Sequence, residues 1–325
     1  MDANEGPRGM MRFEDVLAKV DVETIRQYPR TEALRGALAE RMGIDAKSVL
    51  VTAGADDALD RCCRARLGPG NLAIVTTPTF EMIPRYVRAA GADLDEVPWL
   101  EGPFPICEVL GRIGERTAAI FIVTPNNPTG GIASESDLRQ IAEAAPGALL
   151  IVDLAYTEFA EVDLTSTVLS IPNAVLVRTF SKAWGLAGLR VGWVAGQADM
   201  IGALMGVGNP YAVSGVSAAV ALECLRSGAS VMSAGVEQVR AERERLRIWL
   251  ATRNIRSSPS QANFVLVEFG DAASVHRRLF DAGVSVRKFD IQPLRSWLRV
   301  TCPAGEEDFV RLLHALEMVI CEVQP

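Results

Sequence analysis

The segment VRTFSKAWGLAGLRVGW, residues 177–193, joins two apolar, strand-like runs through a loop that contains Lys182. Lysine is scarce in this chain, because Lys182 is one of only four lysines among 33 lysine and arginine residues. A lysine buried in such apolar surroundings loses solvation, its pKa falls, and the neutral amine becomes a usable nucleophile. A lysine that extends from the loop into solvent is the alternative. The rest of the sequence has to decide between the two.

The composition is typical of a soluble globular enzyme. The chain has 325 residues, enough for two domains or for one large domain with a smaller one, and 49% of them are hydrophobic and 22% charged. Its formal charge of −7 argues against nucleic acid or an anionic membrane as the main partner. No apolar run reaches the length of about 18 residues that a membrane span needs, and the N-terminus lacks the hydrophobic core of a signal peptide. We therefore expect a cytoplasmic protein.

The cysteines and histidines indicate neither a metal site nor a disulfide framework. The six cysteines form no Cys-x-x-Cys pair and show no metal-ligand spacing, so we expect free thiols. His276 and His314, the only histidines, lie in segments with helical patterns. A metal centre or a serine–histidine hydrolase would have to draw on these two, which argues against both.

Helical segments alternate with short apolar runs from about residue 30 onward. TEALRGALAERMG, residues 31–43, is predicted to be an amphipathic helix with Thr31 as its N-cap and Gly43 at its end. Later runs such as AAIFIVTP, GALLIVDLAY and NAVLVRTF have the length of buried strands. The alternation predicts an α/β fold with a largely parallel sheet covered by helices on both faces.

The pattern changes after about residue 228. A long arginine-rich helix leads into a strand–helix–strand–strand–helix pattern, which is typical of a small α+β domain. We therefore divide the chain into an N-terminal arm (residues 1–29), a large domain (residues 30–228) and a small C-terminal domain (residues 229–325).

Polar residues follow several of the predicted strands. Ligands of open α/β sheets bind beyond the carboxyl ends of the strands, so these residues are expected to meet in one crevice. In chain order they are Asn127, Asp153, Tyr156, Ser181, Lys182 and Arg190. The set suits a pyridine cofactor that carries an aldehyde, a phenolic oxygen and a phosphate. The aldehyde needs an amine, the ring nitrogen needs a carboxylate, and the phosphate needs hydroxyls and a fixed cation.

Several motifs carry a resemblance to a known family, among them ANEGP, TPNNPTG, IVDLAYTEF, RTFSKAWGLAGLRVGW, QANFVLVEF and LRVTCPAGEED. The chain resembles the fold-type I pyridoxal-phosphate aminotransferases of class I and II over nearly its whole length, and most closely the histidinol-phosphate aminotransferases. The resemblance implies a large domain with a mostly parallel seven-stranded sheet between helices, a small α+β domain, and pyridoxal 5′-phosphate as the cofactor. Taken alone, a motif such as NNPTG could be only a turn.

The resemblance also implies a role for each matched residue. Lys182 forms the Schiff base with the cofactor, Asp153 pairs with its ring nitrogen, and Asn127 and Tyr156 address its phenolic oxygen. Phe80 stacks on the ring, at a position where tyrosine is common in the family. The residues implied to hold the phosphate are Gly54, Ala55, Asp56, Thr179, Ser181 and Arg190. On the residues alone, Asp153 could instead cap the next helical turn and Phe80 could be a core residue.

A homodimer and a reaction follow from the same resemblance. Tyr28 reaches the phosphate from the neighbouring subunit, with a core aromatic as the alternative. Arg299 binds the substrate's carboxylate or an equivalent anion, and Arg287 is its helper or else a solvated surface residue. The amino group would pass from L-histidinol phosphate to 2-oxoglutarate by a ping-pong Schiff-base mechanism, in which Lys182 is also the general base.

Four residues depart from the family pattern, namely Leu154, Ile83, Pro84 and Pro303, and the N-terminal arm is expected to be shorter than in many relatives. These departures bear on the substrate rather than on the cofactor. Three alternatives therefore stay open. They are an aromatic or broad-range aminotransferase, a phospho-amino-acid decarboxylase on the same scaffold, and a cofactor-binding regulatory module. The regulatory module is disfavoured, because the sequence has no basic helix-turn-helix segment before ANEGP. A nicotinamide enzyme is disfavoured because no G-x-G-x-x-G follows any of the strands.

Overall fold

The computed structural model describes residues 2–7, 14 and 20–323, and these residues form two sheets. The strands of the larger sheet are β1 (Val49–Thr52), β2 (Leu72–Thr77), β3 (Asp93–Pro98), β4 (Thr117–Val123), β5 (Leu149–Asp153), β6 (Ala174–Thr179) and β7 (Gly192–Gly196). Their spatial order is β1-β7-β6-β5-β4-β2-β3. Among the strands described, β7 is the one that runs opposite to the other six, so the mostly parallel seven-stranded sheet is confirmed.

Helices precede this sheet, connect its strands and follow its last strand. They are α1 (Val22–Arg26), α2 (Glu32–Met42), α3 (Gly54–Arg66), α4 (Met82–Ala89), α5 (Ile106–Arg112), α6 (Glu135–Ala144), α7 (Thr165–Leu169), α8 (Ala198–Gly206) and α9 (Gly215–Ser227). Short 3₁₀ turns span Ala46–Ser48, Thr157–Phe159, Ala187–Leu189 and Leu294–Ser296. Thr31 precedes α2 as predicted, although its side chain makes no capping hydrogen bond. Gly43 ends the helix at φ 68°, a left-handed conformation that glycine adopts without a steric penalty.

Both faces of the central strands are buried, which explains why β4 and β5 contain continuous apolar runs. In β4, Ile120 and Ile122 belong to one apolar core, whereas Phe121 and Val123 belong to another on the opposite face. Successive side chains of a strand point to opposite faces, so a strand covered on both sides needs apolar residues at every position. The strand ends are thereby left as the places where polar side chains can gather.

The smaller sheet follows in the chain. Its strands are β8 (Phe264–Glu268), β9 (Arg287–Lys288) and β10 (Trp297–Thr301), and its helices are α10 (Ala229–Ala251), α11 (Ala272–Asp281) and α12 (Glu306–Val323). The strands pair antiparallel in the order β8-β10-β9, so the predicted strand–helix–strand–strand–helix pattern is confirmed. The domain boundaries after residues 29 and 228 stay a prediction.

Two further expectations concern single side chains and the helices. The cysteines whose side chains are described are free thiols, as predicted; they are Cys62, Cys63, Cys107, Cys224 and Cys302. The side chain of Cys321 lies outside the described residues. The two histidines lie in α11 and α12, as expected. Within residues 2–7, 14 and 20–323, no helix combines the length and the apolar composition needed to cross a membrane.

Candidate active site

A cavity of about 630 Å³ lies at the carboxyl ends of the central strands. Its wall contains twelve of the fourteen residues singled out from the sequence: Ala55, Asp56, Phe80, Asn127, Asp153, Tyr156, Thr179, Ser181, Lys182, Arg190, Arg287 and Arg299. Gly54 precedes Ala55 at the start of α3, and Tyr28 is not part of the wall. The expectation that the strand ends meet in one crevice is therefore met by the fold.

Lys182 and Asp153 place an amine and a carboxyl group in this cavity. The Lys182 Nζ donates a hydrogen bond to the Asn4 carbonyl at 2.7 Å. Burial and the nearby cations Arg299 and Arg190 lower the pKa of Lys182 to about 8. A lysine that simply extends into solvent, the alternative considered for Lys182, is therefore wrong. Its amine is a usable base or nucleophile near neutral pH.

Asp153 is the last residue of β5 and is only 4% exposed. The Ala155 N–H donates to its Oδ1 at 3.0 Å, so the carboxyl group does cap the next turn, as one of the two interpretations predicted. Capping and a position in the cavity wall are compatible here. Burial raises the pKa of Asp153 to about 7, because little solvent is available to stabilise the charged form. A cation bound next to Asp153 would stabilise the charged carboxylate and lower its pKa again.

Tyr156 accepts two hydrogen bonds at its hydroxyl oxygen. The donors are Asn4 Nδ2 at 3.0 Å and Asn127 Nδ2 at 3.3 Å. Burial raises the pKa of Tyr156 to about 12, so the phenol is neutral at physiological pH. A phenol has one proton to donate, and both partners found here are donors themselves. The hydroxyl proton therefore remains for a partner inside the cavity.

Arg299 of β10 connects the smaller sheet to this cluster. Its Nη1 donates to Asn127 Oδ1 at 2.6 Å, and its Nη2 donates to the Asp2 carbonyl at 2.9 Å. Its Nε is buried and has no hydrogen-bond partner. Burial lowers the pKa of Arg299, but a guanidinium stays charged at neutral pH. A buried cation with an unsatisfied donor is suited to binding an anion.

A second anion-binding element forms where β1 leads into α3. The first N–H groups of this 13-residue helix have no partners within the helix and attract negative charge. Gly54 has φ +79°, and a Cβ there would lie 2.7 Å from Arg190 Nη2. A Cβ on Gly192 would lie 2.6 Å from the Gly54 carbonyl carbon and 2.8 Å from Ala55 N. Glycine at both positions is what allows these backbones to approach.

Arg190 and two hydroxyls lie next to this helix start. Arg190 Nη2 pairs with Asp56 Oδ2 at 2.8 Å, and its Nη1 donates to Ser181 Oγ at 3.3 Å. Thr179 Oγ1 donates to Ser181 Oγ at 3.0 Å. The Arg190 side chain is 51% exposed. The element thus offers backbone N–H groups, hydroxyls and one cation within a short stretch of surface.

Arg287 and Tyr28 occupy more open positions. Arg287 lies in β9 and lines the cavity, where its guanidinium is 3.5 Å from Glu81 and 3.8 Å from Asp2. Tyr28 is 75% exposed and stacks on Tyr211, with 4.5 Å between ring centroids. The core-aromatic alternative for Tyr28 is therefore wrong. A contact of Tyr28 with a neighbouring subunit stays a prediction.

The four departures from the family pattern are not equivalent in the structure. Leu154 and Ile83 are fully buried in the core, whereas Pro84 lies in the cavity wall. Pro303 is partly buried and, among the described residues, does not belong to that wall. Of the four, Pro84 is the one in direct reach of a bound ligand. No group of three or more His, Cys, Asp or Glu side chains within the described ranges is arranged to hold a metal ion.

Two residues of this cluster, Asn4 and Thr301, were not predicted from the sequence as site residues. Asn4 belongs to the segment of residues 2–7, is 1% exposed, and contacts both Tyr156 and Lys182. Thr301 Oγ1 donates to Asn4 Oδ1 at 3.1 Å. The available signal was ANEGP itself, because asparagine tolerates the left-handed backbone that Asn4 adopts at φ 56°.

The comparisons with known proteins agree with this geometry. The family model described as aminotransferase class I and II matches residues 7–316. The histidinol-phosphate aminotransferase of Caldanaerobacter subterraneus subsp. tengcongensis is 34% identical, over 98% of this chain and 92% of that protein. The enzyme of the same name from Thermobifida fusca is 36% identical, over 87% of this chain and 78% of that protein.

A solved structure extends the likeness to the fold. The crystal structure of histidinol-phosphate aminotransferase from Sinorhizobium meliloti, in complex with pyridoxal-5′-phosphate, matches with a TM-score of 0.90 at 25% identity. The match covers 99% of this chain and 90% of that one. Since the family model and relatives above 30% identity span nearly the whole sequence, this chain belongs to the class I and II aminotransferases.

Proposed function

We propose that this aminotransferase uses pyridoxal 5′-phosphate to move an amino group from L-histidinol phosphate to 2-oxoglutarate. The observation that carries the proposal is the amine of Lys182, with its pKa lowered to about 8, in the same cavity as the buried Asp153. The names of the curated relatives support the donor, and the ligand of the Sinorhizobium meliloti structure supports the cofactor.

The residues present fit this cofactor. When bound, it supplies an aldehyde that an amine can attack and a protonated ring that accepts electrons. The aldehyde's partner is Lys182. Asp153 is the partner of the ring nitrogen, because a cation beside the carboxyl group favours its ionised form and offsets the burial that raises its pKa. Phe80, half-buried in the cavity wall, offers an aromatic face for the ring.

The start of α3 is the proposed phosphate site. Its free N–H groups, the hydroxyls of Ser181 and Thr179, and the Arg190 guanidinium supply the donors that a phosphate needs. The pair between Arg190 and Asp56 does not prevent this use. Both side chains are more than a third exposed, and such surface pairs are worth about 0–1 kcal/mol. A phosphate dianion can therefore take over the guanidinium at small cost.

The chain's own groups suffice for the proton steps of the reaction. Lys182 Nζ can accept and return a proton near neutral pH, which is the requirement for a general base. With the cofactor bound, the Tyr156 hydroxyl would donate a hydrogen bond to the phenolic oxygen. Arg299 holds the anion of the substrate, and its buried surroundings strengthen that interaction by excluding water.

Three further arginines add positive charge to the cavity wall, which favours a phosphorylated donor. Arg85, Arg88 and Arg287 line the cavity, and guanidinium groups are well matched to phosphate oxygens. Glu81 pairs loosely with two of them, at 3.6 Å from Arg85 and 3.5 Å from Arg287. The apolar side chains of Phe289, Ile291 and Leu294 also line the cavity and offer contact area for a ring.

We also propose a homodimer in which Tyr28 reaches the phosphate site of the second copy. Tyr28 is one of several large apolar side chains that the single chain leaves exposed near α1, together with Val22 (72%), Ile25 (70%) and Tyr211 (52%). Contiguous exposed apolar groups of this size are typical of interaction surfaces.

The experiment that tests the function is spectral. The protein is purified with pyridoxal phosphate, and L-histidinol phosphate is added without any keto acid. We expect the visible absorbance of the bound cofactor to convert to that of its aminated form, and 2-oxoglutarate to restore it. The matched control is Lys182→Ala, which should show no conversion.

Each outcome bears on a separate part of the proposal. A cofactor absorbance that L-histidinol phosphate leaves unchanged contradicts the donor and directs attention to aromatic amino acids. Release of carbon dioxide without a keto acid indicates a decarboxylase on the same scaffold. A protein that binds no pyridoxal phosphate contradicts the proposal as a whole.

A further inference from the structure

Asn4 contacts three residues that belong to different parts of the fold. Its side-chain Nδ2 donates to Tyr156 Oη at 3.0 Å, its Oδ1 accepts from Thr301 Oγ1 at 3.1 Å, and its backbone carbonyl accepts from Lys182 Nζ at 2.7 Å. The residue is 1% exposed and has a left-handed backbone with φ 56°. Nearby, a Cβ on Gly6 would collide with the Lys182 carbonyl. The segment of residues 2–7 therefore packs directly against the reactive lysine.

The amide of Asn4 has a defined orientation. Thr301 donates to its oxygen, and the opposite side of the amide therefore presents N–H to Tyr156. The second donor to Tyr156 is Asn127 Nδ2, whose own oxygen accepts from Arg299. With two N–H donors on its oxygen, the phenol has a single place left for its proton, which is the cavity.

These hydrogen bonds form a closed circuit. Arg299 and Thr301 lie two residues apart in β10, and each of them orients one of the amides that hold Tyr156. The strand that carries the proposed anion-binding arginine is thus connected to both sides of the phenol. Closed networks of this kind restrict each member more than a single contact would.

We propose that Asn4 is a positioning residue of this aminotransferase. It acts through Tyr156, because it directs the hydroxyl proton of Tyr156 towards the cofactor's phenolic oxygen. In this role the Asn4 side chain acts only through Tyr156, whereas the contact with Lys182 Nζ is made by the backbone carbonyl of Asn4. The inference rests on the proposed function, because it requires pyridoxal phosphate at Lys182.

The readout is the pKa of the visible absorbance change of the bound cofactor. A hydrogen bond to the phenolic oxygen stabilises its negative charge and weakens its attraction for the proton on the neighbouring nitrogen. Loss of that hydrogen bond should therefore raise the pKa of the absorbance change. This quantity reports on the state of the bound cofactor and does not depend on turnover.

The principal variant is Asn4→Gly. It removes the amide, keeps the carbonyl that accepts from Lys182, and tolerates the left-handed backbone. We expect Asn4→Gly to raise the pKa of the absorbance change by about one unit, as Tyr156→Phe should. In the double variant, Asn4→Gly should add nothing to the effect of Tyr156→Phe, because a residue that acts through Tyr156 has no effect once the hydroxyl is gone.

Two further variants complete the test. Thr301→Val removes the donor that orients the amide and should shift the pKa in the same direction by a smaller amount. Glu5→Gln changes an exposed side chain in the same segment and should leave the pKa unchanged. Thermal unfolding of each variant shows whether it is folded. If Asn4→Gly does not fold, Thr301→Val takes its place as the test of the Asn4 amide.

The outcomes separate this inference from the function on which it rests. An unchanged pKa in Asn4→Gly, or an equal shift with and without the Tyr156 hydroxyl, overturns the positioning role while the proposed function stands. A wild-type protein without the absorbance of a lysine-bound cofactor overturns both.

Discussion

Replacing Asp153 with asparagine should make the cofactor-free protein more stable above pH 7, although it removes a group that the proposed reaction needs. Asp153 is 4% exposed, and burial raises its pKa from 3.8 to about 7. The folded protein therefore retains a proton that the unfolded chain has already lost between these two pH values. Stability must fall as the pH rises through that window, and the loss is complete above pH 7.

The size of the effect follows from the two pKa values. One pKa unit corresponds to about 1.4 kcal/mol, so the rise at Asp153 costs the folded, cofactor-free protein about 4 kcal/mol at pH 8. Asparagine has nearly the same shape and no charge, and it can still accept the hydrogen bond from the Ala155 N–H. For 325 residues, about 4 kcal/mol corresponds to a rise in Tm of about 6 °C.

The assay compares Tm of the wild type and Asp153→Asn without cofactor, at one protein concentration, from pH 4 to pH 8. The difference should be small at pH 4, grow to pH 7 and stay constant above it. Asp281→Asn, at an exposed site, is the matched control and should show no such growth. A difference that does not grow with pH, or a variant that loses stability at high pH, would refute the reasoning. Either result would mean that the buried carboxyl group is ionised and well paired without the cofactor.

Three further substitutions test other parts of the site. Lys182→Ala should abolish amino transfer without lowering Tm, and turnover in a coupled assay would contradict its assigned role. Arg299→Gln should raise KM for 2-oxoglutarate about tenfold or more in initial-rate measurements, because charged hydrogen bonds are worth about 1.5–3 kcal/mol. Gly192→Ala should weaken pyridoxal phosphate binding about tenfold in a fluorescence titration, because its Cβ would displace Gly54 and Ala55. Gly188→Ala should leave the affinity unchanged, because a Cβ on Gly188 would point into open space. Equal affinities of the two variants for pyridoxal phosphate would exclude the steric explanation.

The convergence of the main site residues was predictable from the sequence because of a property of parallel sheets. Asn127, Asp153 and Lys182 follow three neighbouring strands, and the carboxyl ends of parallel strands lie on one edge. The apolar runs before them marked those strands without ambiguity, because both faces of the sheet are buried. Chemistry and topology therefore indicated the same place.

The contribution of the segment 2–7 was not predictable in this way. Asn4 is separated by 152 residues from Tyr156 and by 297 residues from Thr301, the two side chains that it bonds. The segment has no helical or strand periodicity, and its position depends on long-range packing that no local pattern encodes. Tyr28 shows a related limit. The structure of a single chain shows that Tyr28 is exposed, but the predicted partner of Tyr28 lies in a second copy of the chain.

The two proposed anion sites differ in a way that determines where substrate discrimination has to arise. Arg190 is half exposed and already paired, so the start of α3 would bind a phosphate through many weak donors. Arg299 is 7% exposed, and its unsatisfied Nε leaves about 1–3 kcal/mol to be gained from a single anion. Under the proposed function, Arg299 would meet the phosphate of L-histidinol phosphate in one half-reaction and a carboxylate of 2-oxoglutarate in the other, so it cannot by itself distinguish the two. We therefore expect discrimination between donors to depend on the other charged residues of the wall, where Arg85 and Arg287 share Glu81 as their ion-pair partner.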